Sequence, residues 1–520
     1  MNIHYIFLKI EDPDTSLARE LKGRFRLSSY NHFESSQGGG YSLQYNALFE
    51  RQGEYTATAS IDNGCNTFQF KSDYWNMLPH YIYRKNGVLI MSNNSIRIAK
   101  LTHSSISRNA VYDCLIFGQP YKAGSYFEDI KMLPPTIKGS VPLSGEGGVK
   151  VTEYQYWRDL LEQSKGTKVE EVFLEDFSIA KQRLNDASLP VKLQFSGGSD
   201  SVTIFSALRH FDIPFECISY SHKPETDKYI NKFCSDFGVK NQVIKVNTGI
   251  ENQIEALTLS NGMAPAVKFY GLYRETKKSM LFDGYSFFAG DYSDAFVHLK
   301  LHSILLTGRL LRNDDLSPST YEQLQAYCYN VYSSLVCCLD NQANHDAFHD
   351  YIFSYIPSTV IGSVLSPAVQ MGHDVHTYYL TTRFVFSALS AGFGFITKNT
   401  LLRNYNLREF NGKVPLGRIC SKLDPKVYRY RLDSGFTMRM HHLWPRSDIY
   451  TEYLVRRYSR SLKNHLVRLG TARKAEYIPS SYTMKFIDPG MMTNNLRLAY
   501  CDETLAFLDS IVSSDSLSTR

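Results

Sequence analysis

One turn constrains this chain more than any other feature. A short apolar strand, Val191 to Phe195, runs into Ser196-Gly197-Gly198-Ser199-Asp200-Ser201 and then into a helical stretch. Glycine accepts backbone conformations that other residues avoid, so such a turn can curl until successive amides face outward. The positive end of the following helix adds attraction for an anion. The turn is therefore predicted to bind phosphate, although a plain glycine-serine connection between strand and helix is the alternative.

The side chains of the turn suit a metal-bound polyphosphate. Ser196, Ser199 and Ser201 can donate hydroxyl hydrogen bonds, and Asp200 is placed to hold Mg²⁺ against phosphate oxygens. The G-x-x-x-x-G-K-[ST] pattern of γ-phosphate transfer is missing, because no lysine follows the glycines. Release of pyrophosphate is thus favoured over transfer of the terminal phosphate.

The segments around the turn alternate regularly. The pattern predicts strand Val191 to Phe195, helix Val202 to Phe211, strand Phe215 to Tyr220, helix Asp227 to Phe237 and strand Gln242 to Val246. Alternation at this spacing specifies a parallel, doubly wound sheet. The fold class is α/β for this region, and the region after about residue 300 is expected to be largely helical.

The first 155 residues follow a different pattern. Short aromatic and β-branched runs broken by Gly and Asn, such as 55–61 and 87–92, predict a mostly antiparallel β domain. A charged stretch from Lys168 to Asp186 with apolar residues at helical spacing then leads into the second domain. We expect domains at 1–155 and 165–510, followed by a loose tail at 511–520.

Composition narrows the class of protein. A chain of 520 residues is too long for a single hydrophobic core, so two domains are expected. Its 57 basic and 51 acidic residues give a net charge of +6, and they form no basic run. A nucleic-acid partner is therefore not expected. The nine cysteines form no C-x-x-C pair, and neither a basic leader nor an apolar stretch of membrane-spanning length is evident. We expect a reduced cytoplasmic protein without membrane insertion.

Several stretches together resemble one family. S-G-G-x-D-S is similar to the pyrophosphate loop of the ATP-pyrophosphatases, and the segments 129–135 and 288–294, with Phe117 and Gly118, resemble the asparagine-synthetase branch. The likeness runs from about residue 80 to 440. It implies a degenerate glutaminase-like domain, an Ntn-type β-sandwich, followed by an adenine-nucleotide α-hydrolase-like domain. It also implies ATP and Mg²⁺ as cofactors.

The resemblance assigns roles to individual residues. Asp200 and Asp294 match the two magnesium carboxylates, and Asp291 matches the residue that handles the attacking amine. The interpretation of the 291–294 segment as a solvated turn stays open. Adenine is expected near Ser219, at the end of the second strand. Asp374 loosely resembles a family acid, but a helix cap or a surface acid is the favoured interpretation.

Two positions depart from the family. Residue 2 is Asn instead of the nucleophilic cysteine of glutamine-dependent members, so no glutaminase activity is expected. Asp433 stands where the family has a lysine that stabilises charge on the acyl-adenylate. Arg431, Arg439 or Lys426 could supply that cation, and Arg431 is the residue we favour. Altered chemistry at this position is the alternative.

The predicted reaction is ATP-dependent activation of a carboxylate as an acyl-adenylate, followed by amide formation. The chain resembles the lasso-peptide macrolactam synthetases in lacking the N-terminal cysteine and in the stretch 220–246. The β-lactam synthetases lack that cysteine as well. Macrolactam closure of a small peptide is therefore favoured, with a precursor peptide and its maturation protease as partners. Two alternatives stay open: transfer of ammonia or another amine to a sugar or small-metabolite carboxylate, and an inactive nucleotide-binding or partner protein.

Overall fold

The computed structural model describes residues 4–245 apart from short gaps, 285–290, most of 366–391, all of 413–443, and isolated residues at 319–327 and 446–510. The strands are β1 Tyr5–Ile10, β2 Asn31–Ser35, β3 Gly40–Gln44, β4 Thr56–Asp62, β5 Thr67–Lys71, β6 Tyr81–Lys85, β7 Val88–Ser92, β8 Ile130–Met132, β9 Ile137–Pro142, β10 Lys150–Glu153, β11 Val191–Gln194, β12 Phe215–Ser221, β13 Asn241–Lys245, β14 Ser286–Ala289 and β15 Val375–His376. The described helices are α1 Ser16–Arg24, α2 Ser95–Thr102, α3 Arg108–Phe117, α4 Trp157–Gln163, α5 Val169–Ala187, α6 Ser199–His210, α7 Pro224–Asp236, α8 Thr382–Ser390, α9 Val414–Leu423, α10 Pro425–Arg429 and α11 Met438–His442.

The N-terminal part is built from two antiparallel sheets, in the orders β2-β1-β7-β6-β8 and β10-β9-β5-β4-β3. Their inner faces meet through aromatic side chains: the rings of Phe7 and Phe68 stack at 4.1 Å, and those of Tyr5 and Tyr41 lie 4.8 Å apart. Strand β5 alternates buried and less buried residues, as expected when one face of a sheet packs on a core. The predicted antiparallel β region is confirmed.

Strand β1 is buried on both faces, because helix α2 contacts the same sheet through β6, β7 and β8. Two short 3₁₀ turns, Ala47–Phe49 and Tyr378–Leu380, complete the described elements near this part.

The third sheet is parallel throughout, in the order β13-β12-β11-β14-β15. Helix α6 connects β11 to β12, and α7 connects β12 to β13, as the alternating pattern predicts. The chain is thus a mixed α/β protein with antiparallel and parallel sheets. The region after 300 is outside the described residues in large part, and its longest described stretches, 368–391 and 413–443, contain α8 to α11.

Two helices begin three residues earlier than the sequence predicts. Helix α6 starts at Ser199 instead of Val202, because Gly198, with φ −80° and ψ 167°, is the N-cap and Ser199 to Ser201 form the first turn. Helix α7 starts at Pro224 instead of Asp227, in keeping with the preference of proline for a first helical turn. None of the described helices combines the length and the apolar composition that a bilayer crossing requires.

Candidate phosphate-binding site

The site lies where the order of the parallel sheet reverses. From β11 the chain crosses to β12 and β13 on one side, whereas β14 and β15 lie on the other. Loops that leave neighbouring strands in opposite directions open a crevice at the carboxyl ends of those strands. Gln194, the last residue of β11, pairs with Ala289, the last residue of β14. The loop 196–198 and Gly290 therefore leave the sheet side by side.

Gly290 is in close contact with the loop. A Cβ atom on residue 290 would lie 2.6 Å from the Cβ of Ser201 and 2.7 Å from the carbonyl oxygen of Gln194. A larger side chain would separate the two strand ends, so glycine is needed for this approach. Gly290 directly precedes Asp291 in sequence. The predicted Asp291 and Asp294 themselves lie outside the described residues.

The loop is closed by its own serines. The hydroxyl of Ser201 donates to the Gly198 carbonyl oxygen at 3.2 Å, and it accepts from the Ser196 amide at 3.3 Å. Gly197 has φ +72°, a conformation that side chains disfavour. Ser201 is fully buried, whereas Ser196 is exposed. Of the three predicted hydroxyl donors, Ser201 thus shapes the loop from within, and the hydroxyl of the exposed Ser196 lies 3.1 Å from that of Ser201 and accepts from the Gly198 amide at 3.4 Å.

The amino end of α6 points its first amides out of the helix. The first hydrogen bond within the helix is donated by Val202 to the Gly198 carbonyl oxygen, at 3.0 Å. The amides of Ser199, Asp200 and Ser201 precede that bond, and amides at this position carry the partial positive charge of a helix start. An anion held at the loop would therefore meet backbone donors.

Asp200 belongs to this first turn and is partly buried. Its Oδ1 accepts from the Ser199 hydroxyl at 3.1 Å, and its backbone carbonyl accepts from the Tyr379 hydroxyl at 2.8 Å. Tyr379 lies 179 residues further along the chain. No sequence pattern predicted that contact.

Tyr229 connects the loop to the C-terminal part of the chain. A Cβ on residue 197 would lie 2.6 Å from the Tyr229 Cε1, so the tyrosine ring covers Gly197. The Tyr229 hydroxyl donates to the carbonyl oxygen of Arg431 at 2.9 Å. Burial raises the pKa of Tyr229, with Tyr430 and Asp433 adding to the shift, so the hydroxyl keeps its proton at neutral pH. The sequence contained Tyr229 in the family-like stretch but did not predict this role.

Two of the candidate cations, Arg431 and Lys426, lie in different surroundings. Arg431 begins a tight hairpin in which the amide of Leu432 donates to the Phe436 carbonyl at 2.7 Å, and its side chain is exposed. Lys426, in contrast, donates to the Asp236 carbonyl at 2.7 Å and lies over Phe237, at the opposite end of α7 from the loop. Arg431 is therefore the one of these two that Tyr229 links to the loop 196–198.

The predicted adenine contact, Ser219, is fully buried within β12. Its hydroxyl accepts from the Asn241 side chain at 3.0 Å. The Cys217 amide donates to Lys240, on the β13 side, and the Ile218 carbonyl accepts from Phe195, on the β11 side. The N–H and C=O groups of successive residues alternate in direction along a strand. The backbone N–H and C=O of Ser219 therefore face β13, and those of Tyr220 face β11, which runs into the loop.

Asp374 is not a helix cap, because it directly precedes β15. Its Oδ2 accepts from the Ser286 hydroxyl at 2.9 Å and lies 3.0 Å from the His376 Nε2. Burial tends to raise its pKa, but His376 and these hydrogen bonds outweigh burial and lower it. The cluster sits at the amino end of β14, away from the loop 196–198.

Among the described residues, no three His, Cys, Asp or Glu side chains converge on one point as a metal site would require. Of the two predicted magnesium ligands, the structure describes Asp200, whereas Asp294 lies outside the described residues. A comparison with protein-family models finds no match, and a search of curated proteins finds no relative.

Proposed function

We propose that this protein is an ATP-dependent carbon-nitrogen ligase that forms AMP and pyrophosphate, with the loop Ser196 to Ser201 as its pyrophosphate site. The observation that carries the proposal is the position of this loop. It leaves the central strand at the point where the sheet order reverses, and it ends in the first turn of α6. Outward-facing amides at such a point suit the pyrophosphate of a nucleotide.

The surrounding residues favour pyrophosphate as the leaving group. No lysine follows the loop to hold a γ-phosphate, but the backbone amides span several consecutive residues. Arg431 is exposed, and its backbone carbonyl is joined to the loop through Tyr229, so we assign to its guanidinium the stabilisation of charge on the activated carboxyl group. This cation would take over the task of the family lysine that Asp433 replaces.

Mg²⁺ would be held by Asp200 and Asp294 and would neutralise charge on the triphosphate. The partly buried carboxylate of Asp200, oriented by the Ser199 hydroxyl, fits a hard cation that prefers oxygen ligands. Asp291 would orient the attacking amine, since it follows Gly290 at the edge of the loop. The peptide groups of Tyr220, rather than those of Ser219, are the better candidates to pair with an adenine edge.

The proposed reaction has two steps. A substrate carboxylate attacks the α-phosphorus of ATP, pyrophosphate leaves, and an amine displaces AMP to form an amide. We favour an amine of the same molecule, so that a short precursor peptide closes into a macrolactam. In the finer architecture we propose, the N-terminal part is a degenerate Ntn-type domain without glutaminase activity, and the parallel sheet belongs to an adenine-nucleotide α-hydrolase-like domain.

The test is product analysis with purified protein, ATP·Mg²⁺, candidate precursor peptides and metabolite fractions. The expected products are AMP and pyrophosphate, formed with wild type and lost with Asp200→Asn. Asp159→Asn is the matched control, because Asp159 also lies in the first turn of a helix but far from the loop in sequence and exposed. Formation of ADP and phosphate, or ATP binding without turnover in every fraction, would overturn the proposal.

A further inference from the structure

Residues 375–382, which we call the bridging segment, lie between the antiparallel N-terminal part and the phosphate loop. Asn46 binds this segment at two residues. Its amide donates to the Val375 carbonyl at 2.9 Å, and its side chain accepts from the Thr377 amide at 2.5 Å and donates to the Thr377 carbonyl at 3.1 Å. Asn46 is fully buried in a left-handed conformation, φ 53°, so its orientation is fixed by the fold around it.

Further N-terminal side chains hold the other end of the segment. The indole Nε1 of Trp75 donates to the Leu380 carbonyl at 2.5 Å. The Tyr55 hydroxyl accepts from the Thr382 amide at 2.9 Å, and Glu54 accepts from the Thr382 hydroxyl at 3.0 Å. The main chain of the segment is thus hydrogen bonded to the N-terminal part at both of its ends.

The same segment reaches the loop from its other side. Tyr379 is fully buried, and its hydroxyl donates to the Asp200 carbonyl oxygen at 2.8 Å. The adjacent Tyr378 donates to Asp176 at 3.2 Å, and Asp176 also binds Arg51 of the N-terminal part at 3.1 Å. Tyr378 and Tyr379 are both fully buried, so the hydrogen bonds that their hydroxyls donate are stronger than they would be at the surface.

We propose that the N-terminal part positions the phosphate loop through the bridging segment, with Tyr379 as the positioning residue for the first turn of α6. The contribution of the N-terminal part would then be to hold the anion-binding turn in one conformation. The functional meaning of this coupling rests on the ligase proposal, but the mechanical coupling can be measured without any nucleotide.

The measurement is hydrogen exchange of peptides covering residues 196–206 in the full-length protein. Tyr379→Phe removes the hydroxyl that holds Asp200. Tyr55→Phe removes the hydroxyl that accepts from the Thr382 amide and that also binds the Glu54 side chain, which itself accepts from Thr382. Each is expected to raise exchange in 196–206 by about 5- to 30-fold, the factor that corresponds to one lost buried hydrogen bond. The double variant should exchange no faster than the faster single variant, because both changes act through one route.

Tyr5→Phe is the matched control. It deletes a buried tyrosine hydroxyl, 2.7 Å from the His80 Nδ1, within the N-terminal part and away from the bridging segment. Unchanged exchange in 196–206 with this variant supports the proposal. Equal acceleration by Tyr5→Phe and Tyr55→Phe would reveal general destabilisation and overturn it, as would additive effects in the double variant.

Kinetics separate this proposal from the ligase proposal. If wild type releases pyrophosphate, Tyr55→Phe should raise the KM for ATP, while Tyr5→Phe leaves it unchanged. A KM for ATP that is the same in Tyr55→Phe as in wild type would contradict the coupling. If wild type releases none, the ligase proposal fails, whereas the exchange result still decides whether the N-terminal part holds the loop.

Discussion

Tyr229 donates its hydroxyl to the carbonyl oxygen of Arg431 at 2.9 Å, and 202 residues separate the two in sequence. The ring of the same tyrosine covers Gly197. One side chain therefore sets the distance between the loop 196–198 and the hairpin that begins at Arg431. Two of the sites predicted separately from the sequence are joined by a residue to which the sequence assigned no role.

We expect Tyr229→Phe to loosen this connection while leaving the loop covered. The ring stays, but the Arg431 carbonyl loses its donor, which should cost about 1 kcal/mol of stability. If Arg431 acts on the activated carboxyl group, kcat should fall by about 10-fold with little change in the KM for ATP. Denaturant unfolding and pyrophosphate release measure the two effects.

Tyr430→Phe is the control for this variant. Its hydroxyl donates to Asp236 at 2.6 Å, on the same helix α7 but away from the loop. Because Asp236 is exposed, little loss of stability is expected, and kcat should stay unchanged. Equal losses of kcat in both variants would show that Tyr229 has no special part in placing Arg431.

Gly197→Ala tests the loop conformation itself. The new Cβ would meet the Tyr229 ring at 2.6 Å and would occupy a backbone with φ +72°, so strain and collision add. We expect a loss of about 2 to 4 kcal/mol in stability and greatly weakened ATP binding. Thermal unfolding and nucleotide titration are the measurements.

Gly238→Ala is the control, because it measures the free-energy cost of alanine in a positive-φ conformation without a collision. Gly238 has a similar φ of +68°, but a Cβ on this residue would meet no atom within 4 Å. It should lose only about 1 kcal/mol and bind ATP normally. If both variants behave alike, contact between Tyr229 and residue 197 does not matter for the loop.

The sequence predicted local structure well because the pattern that specifies it is local. The strand, turn and helix from Val191 to His210 were recognisable from apolar periodicity and from two glycines. The predicted start of α6 was three residues too late. Ser and Asp residues such as Ser199, Asp200 and Ser201 are common both in non-helical turns and in the first turn of a helix, and the sequence pattern cannot distinguish the two. The N-cap at Gly198 is evident only from its backbone angles.

Contacts between distant segments could not be predicted in this way. Strand β14 lies beside β11, although more than 90 residues separate Gln194 from Ser286, and its four residues are too few to show a period. The link from Tyr379 to Asp200 likewise depends on how the chain returns to the sheet. A short apolar run that ends in Gly290 was the one local sign of such a strand.

Arg431→Ala should reduce kcat for pyrophosphate release by roughly 100-fold, the loss typical when one group that stabilises developing charge is removed. Its side chain is exposed, so stability should change little. Lys426→Ala should lower stability and leave kcat nearly unchanged, because that lysine contacts the Asp236 carbonyl and the Phe237 ring instead of the loop. Steady-state kinetics and unfolding of both variants decide the assignment, and a greater kinetic loss with Lys426→Ala would contradict it.

His80 should make the stability of the protein depend on pH. Burial lowers the pKa of this histidine to about 4, and its ring is held between the Tyr5 hydroxyl at 2.7 Å and the Lys71 carbonyl at 2.8 Å. The unfolded chain takes up a proton below about pH 6.5, while the folded chain keeps the ring neutral until about pH 4. Between these values the unfolded state binds more protons, so stability falls as the pH falls.

The expected loss across this window is about 2 to 4 kcal/mol, since each unit of pKa difference corresponds to about 1.4 kcal/mol. Urea unfolding between pH 7 and 4 measures it, and His80→Gln should remove this part of the pH dependence even if it lowers stability at pH 7. His103→Asn is the control, because His103 is exposed at the end of α2 in a left-handed conformation that Asn accepts. That variant should keep the wild-type slope. A slope that survives in His80→Gln would mean that other groups carry the acid sensitivity and that the buried ring between the two sheets does not.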